Sequence, residues 1–90
     1  MNDHIPESEL QKRLDAAKQQ VSVGAQYCHY KGADKIYTVA CLGILEATEE
    51  VCIIYEAQYG EHLTFIRPLK VWLETVEWQG NTVPRFRRLT

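Results

Sequence analysis
Ninety residues with a formal net charge of −2 suit a single domain, and the acidic balance argues against a general affinity for nucleic acid or anionic membranes. Hydrophobic residues at 46% and charged residues at 24% are globular values that exclude a disordered chain. The three cysteines, Cys28, Cys41 and Cys52, form no C-x-x-C pair and fit reduced thiols better than disulfides.

The opening MNDHIPESEL lacks the apolar core of a signal peptide, and no apolar run approaches the roughly 20 residues of a membrane helix, so a cytoplasmic location is expected. Residues 6–20 read as a helix. Pro6 suits its first turn, and Glu7 and Glu9 suit the positive end of its dipole. Leu10, Leu14, Ala17 and Val21 form one narrow apolar stripe, which serves either as a lid on the body or as a dimer contact over residues 6–21. Residues 1–23 are therefore read as a helical extension and 24–90 as the body.

From residue 25 the period changes to two. Strands are predicted near 25–30, 35–45, 50–57, 62–67 and 83–88, separated by turns at 31–34, 47–50 and 58–61. Pro68 opens a short helix whose Leu69, Trp72, Leu73 and Val76 share one face, and Gly80-Asn81 turns the chain into its last strand. Pro84 makes that strand an edge or a bulge. The predicted fold is mainly β: a small five-stranded, SH3-like, partly open barrel, with an N-terminal α-helix and a short helix before the last strand.

Five segments, YCHYKG, IYTV, EEVCIIYEAQYG, FIRPLKVWLETVE and VPRFRRL, follow one another in an order that resembles a bacterial family of small proteins, domain of unknown function 1653. The resemblance spans about residues 24–88. It falls on Tyr27, His29, Tyr30, Lys31, Gly32, Tyr37, Val39, Tyr55, Tyr59, Gly60, Arg67, Pro68, Pro84, Arg85 and Phe86. Phe65 stands where the family usually has tryptophan, and Trp72 where it usually has phenylalanine. The family implies no activity. It supports the domain boundary and the candidate site.

In YCHYKG, strand alternation sends Tyr27, His29 and Lys31 one way and Cys28 and Tyr30 the other. Either Cys28 and Tyr30 enter the core, with a partly exposed surface opposite, or Tyr27, His29 and Lys31 form a wall facing a ligand. Arg67 and Arg85, each beside a proline, are either structural ion pairs with Glu56 or Glu74 or an anion clamp. The tail PRFRRL adds arginines around an aromatic, a weak sign of nucleic-acid binding set against five glutamates in residues 46–61.

The expected ligand site is thus Tyr27, His29, Tyr30, Lys31, Tyr37, Tyr55, Tyr59, Arg67 and Arg85, offered to an anionic small molecule, peptide, nucleotide or single-stranded nucleic acid. No metal site is expected, since His29, His62 and the cysteines lack ligand spacing, and no cofactor is expected either. The alternatives are a structural protein that dimerises through the N-terminal helix, or an undescribed enzyme using Cys28 or His29.

Overall fold
The computed structural model describes residues 5–90. Helix α1 (Glu7–Lys18) leads into β1 (Gln26–His29), β2 (Ile36–Leu45), β3 (Glu50–Ala57) and β4 (Thr64–Pro68). A single helical turn, α2 (Leu69–Trp72), precedes β5 (Thr75–Trp78), β6 (Asn81–Pro84) and β7 (Phe86–Arg88). The strands pair antiparallel throughout, as one sheet in the order β4-β3-β2-β1-β7 and a separate β5-β6 hairpin.

The fold is mainly β, and three details differ from the sequence reading. The sheet is open, with β4 and β7 as its edges, and does not close into a barrel. The last predicted strand is two, because Pro84 ends β6 and Arg85 joins the two sheets. Its N–H donates to the Glu74 carbonyl at 2.9 Å and its carbonyl accepts from the Tyr30 N–H at 3.0 Å. The apolar period assigned to a helix through Val76 stops at Trp72. Beyond it, Thr75 and Val76 are β-branched and join β5, and Leu73 is exposed.

The β5-β6 hairpin turns on Gln79 and Gly80, with φ of 52° and 82°, between the paired Trp78 and Asn81. Two consecutive residues in the left-handed region make this a primed turn, one position earlier than Gly80-Asn81. Asparagine tolerates that region better than glutamine does. Gln79→Asn is expected to stabilise the protein by about 0.5 kcal/mol, read as a raised urea midpoint at unchanged slope.

Register decides which side chains meet. Tyr27 lies opposite Tyr37, His29 opposite Phe86, Val39 opposite Tyr55, Tyr55 opposite Phe65, and Ile53 opposite Arg67. Directly opposed residues share a face, so all of these belong to one inner face of the sheet. A bulge after Val39 turns Cys41 away, opposite Ile54, and brings Leu42 inward, opposite Ile53. The core is built there from Tyr27, Tyr37, Val39, Ile53, Tyr55, Ala57, Trp72 and Phe86. Val21 and Ala25 close one end of it, while α1 lies on β2 and β3 with Ala17 buried and Leu10 and Leu14 half-buried.

Candidate functional site: a cationic cleft on the inner face
At one end of the inner face the core opens into a cleft of about 180 Å³, lined by His29, Lys31, Lys35, Tyr37, Tyr55, Tyr59, Arg67 and Phe86. β1 supplies His29, the 31–34 turn carries Lys31 and Lys35 at its two ends, β4 supplies Arg67, and β7 supplies Phe86. Four cationic or titratable nitrogen side chains thus converge with four aromatic rings, and no carboxylate lines the space.

Arg67 is held by its own strand neighbours. Its Nε donates to the Tyr55 hydroxyl at 3.0 Å, and its guanidinium carbon stands 5.4 Å from the centre of the Phe86 ring. The contact with the ring face is a cation–π interaction. The ion pairs among the described residues are Arg13–Glu9, Lys70–Glu50 and Arg85–Glu74, so Arg67, Lys31 and Lys35 each lack a carboxylate partner there. Glu56, a candidate partner from sequence, lies opposite Thr38 and Thr64 on the outer face, where Arg67 cannot meet it. Lys35 Nζ sits 4.4 Å from the Tyr59 ring centre.

The field is felt at His29. Burial, then the charges of Arg67, Arg85 and Lys31, lower its pKa below the usual 6.5. Its Nδ1 accepts the Lys31 N–H at 3.2 Å, which leaves Nε2 to carry the proton of the neutral ring. Because its folded pKa is depressed, the unfolded chain binds more protons below pH 6.5. Stability is therefore full above that pH and falls as the pH drops through the window below it. Urea unfolding between pH 7.5 and about 5 is expected to show this decline, and His29→Gln to flatten it. Tyr37 is pushed up, above the usual tyrosine range, first by burial and then by its hydrogen bond to the Tyr59 hydroxyl.

Six of the expected residues meet here: His29, Lys31, Tyr37, Tyr55, Tyr59 and Arg67. Three do not line the cleft. Tyr27 is core, edge-on to Trp72 at 5.3 Å, with its hydroxyl accepting the Ser22 N–H at 3.0 Å. The surface-facing reading of that side of β1 therefore fails at Tyr27, because its cross-strand partner Tyr37 is also buried. Tyr30 packs on Trp78 at 5.2 Å, toward the hairpin. Arg85 is paired with Glu74 at 3.1 Å, one of the two partners expected from sequence.

The hydroxyls of Tyr27, Tyr37, Tyr55 and Tyr59 are bonded within the protein, so the tyrosines are walls and supports while the cations face the open space. Lys35 and Phe86 were absent from the sequence-based site. Lys35 had a readable signal, since the tight 31–34 turn returns the chain beside Lys31.

Cys28 lies opposite Ile36 and Arg87, on the other face of β1 from His29, and its Sγ donates to the Gly32 carbonyl at 3.2 Å. The two do not form a nucleophile and base pair. No cluster of three or more metal-ligating side chains occurs among the described residues, and no helix there is long and apolar enough to cross a membrane.

The profile of a family described as "Protein of unknown function (DUF1653)" matches residues 25–88. The chain belongs to the DUF1653 family. It is also similar to a crystal structure of a DUF1653 protein from Bordetella bronchiseptica, at 30% identity and a TM-score of 0.67, over 78% of this chain and 90% of that one. No curated protein matches. The matched span contains every residue of the cleft but not α1.

Two aromatics of the DUF1653 span, Trp72 and Phe65, sit in unlike surroundings. Trp72 is buried and stacked on Phe86 at 3.7 Å, beneath the cleft. Phe65 sits on the edge strand, leaning on Tyr55 at 5.9 Å and 40% exposed.

Proposed function
We propose that this domain is a small binding module that captures an anionic group in the inner-face cleft. One observation carries the reading: His29, Lys31, Lys35 and Arg67 converge on a cleft whose lining contains no carboxylate. A protein of net charge −2 that leaves such a group unneutralised holds a local positive potential against its overall sign. A guanidinium fixed at Nε keeps its terminal nitrogens for a bidentate carboxylate or phosphate. The aromatic walls suit an apolar or planar group attached to that anion.

The same reading keeps an SH3-like character for the small sheet with its helical turn before the last strands. It also places the protein in the bacterial cytoplasm, supported by three free thiols. Dimerisation through residues 6–21 is less favoured, because Ala17 and Val21 of that stripe are buried against the chain's own sheet.

Titration with inorganic phosphate and with benzoate, followed by amide chemical shifts, tests the proposal. Saturable shifts are expected at His29, Lys31, Lys35 and Arg67. Shifts that scatter over the surface, or that match those from chloride, overturn it.

A further inference from the structure
We propose that β4 is a docking edge for an extended acidic segment of a partner protein, which adds as a sixth strand and places a carboxylate on Arg67. The two edges of the sheet are unlike. β7 is three residues long and carries Arg87 and Arg88, the short charged form that discourages strand addition. β4 has no strand on its outer side; its Phe65 and Ile66 are 40% and 67% exposed, and Leu63 just before it is 58% exposed. From Leu63 to Ile66 the edge carries no charge and no proline. Arg67 and Pro68 guard only the C-terminal end of β4, and the apolar stretch before them is a template for pairing.

The backbone is set for it. The Ala57 N–H donates to the Leu63 carbonyl at 2.9 Å, which fixes the alternation along β4. Phe65 and Arg67 then turn their N–H and C=O groups toward β3, and Thr64 and Ile66 turn theirs outward. Pro68 closes the ladder because it has no N–H.

The side chains define what binds. Phe65 and Arg67 project on the inner face and Ile66 on the outer one. An antiparallel partner therefore presents, in its own chain order, an acidic residue beside Arg67, an apolar residue beside Ile66 and an apolar residue beside Phe65. The acidic position rests on the anion-binding reading of the cleft, whereas strand addition rests on the edge alone. Charge selects this partner over a second copy of the chain. Isologous pairing of β4 through its outward Ile66 sets Arg67 of each copy near Phe65 of the other, so neither copy supplies a carboxylate to the other's arginine.

The test uses the full chain and a short fluorescein-labelled peptide with Glu-Val-Leu at its centre and neutral polar flanks, read by polarisation and by amide shifts. Binding is expected to perturb residues 63–67 and to protect the Ile66 amide from exchange. Two changes made in the peptide leave the protein untouched. Lysine for the glutamate, or an N-methyl group on the central valine, is each expected to weaken binding by roughly tenfold. Equal binding of the N-methylated peptide overturns strand addition. Failure of the parent peptide while phosphate and benzoate still shift the cleft overturns this proposal and leaves the anion site standing, whereas failure of all three removes both. A concentration-dependent doubling of mass with the Ile66 amide protected in the absence of peptide also overturns it, since the edge is then occupied by a second copy.

Discussion
Trp72→Ala is expected to destabilise the protein by about 3–5 kcal/mol, enough to unfold a domain of this size under mild denaturant. The indole is 3% exposed and stacks flat on Phe86, with ring planes 6° apart. It also meets Tyr27 and Tyr55 edge-on, at 5.3 and 4.9 Å. Removing it leaves a hole beside three aromatic rings in a fold whose short chain buries a small core. Urea unfolding of Trp72→Ala and of Trp72→Phe checks the point. Phenylalanine keeps a ring on Phe86 and is expected to cost about 1–2 kcal/mol. A loss below 1 kcal/mol for alanine would mean that the stack does not hold the core.

The strands were legible where a single physical signal dominated. β2 and β3 are long, β-branched and aromatic, and their bounds in the structure, 36–45 and 50–57, nearly repeat the pattern in the sequence. The hairpin was hidden because Leu69, Trp72, Leu73 and Val76 fit a helical period equally well. Only pairing with β6 makes Val76 a strand residue, and pairing is not local. The face of Tyr27 was misread for the same reason. Alternation says that Tyr27 and His29 share a face, but not whether it is the inner one. The cross-strand register with Tyr37 decides that, and puts one in the core and the other at the cleft. Lys31 and Arg67 were easier, since Lys31 flanks a turn and Arg67 precedes a proline, and both mark strand ends where a core opens.

Arg67 is the position at which structure and proposed binding separate most cleanly. Its Nε bond to Tyr55 and its contact with Phe86 are structural, while its terminal nitrogens have no carboxylate among the described residues. Arg67→Gln is expected to weaken phosphate and benzoate binding by about 10- to 100-fold, the range for losing one or two charge-assisted hydrogen bonds. Arg67→Lys keeps the charge and loses the fork, so it should fall between the two.

The pH dependence supplies a second reading of the same site. In the free protein, burial and the surrounding cations hold the His29 pKa below 6.5. An anion bound beside it offsets that field and raises the pKa, so the complex holds more protons than the free protein. Affinity is then expected to rise as the pH falls through the region below 6.5, with proton uptake visible in calorimetry as a dependence on buffer ionisation. His29→Gln should abolish this rise while keeping most of the affinity at pH 7.5, where the free histidine is already neutral. A pH-independent affinity in the wild type would place the bound anion away from His29, and so outside the cleft.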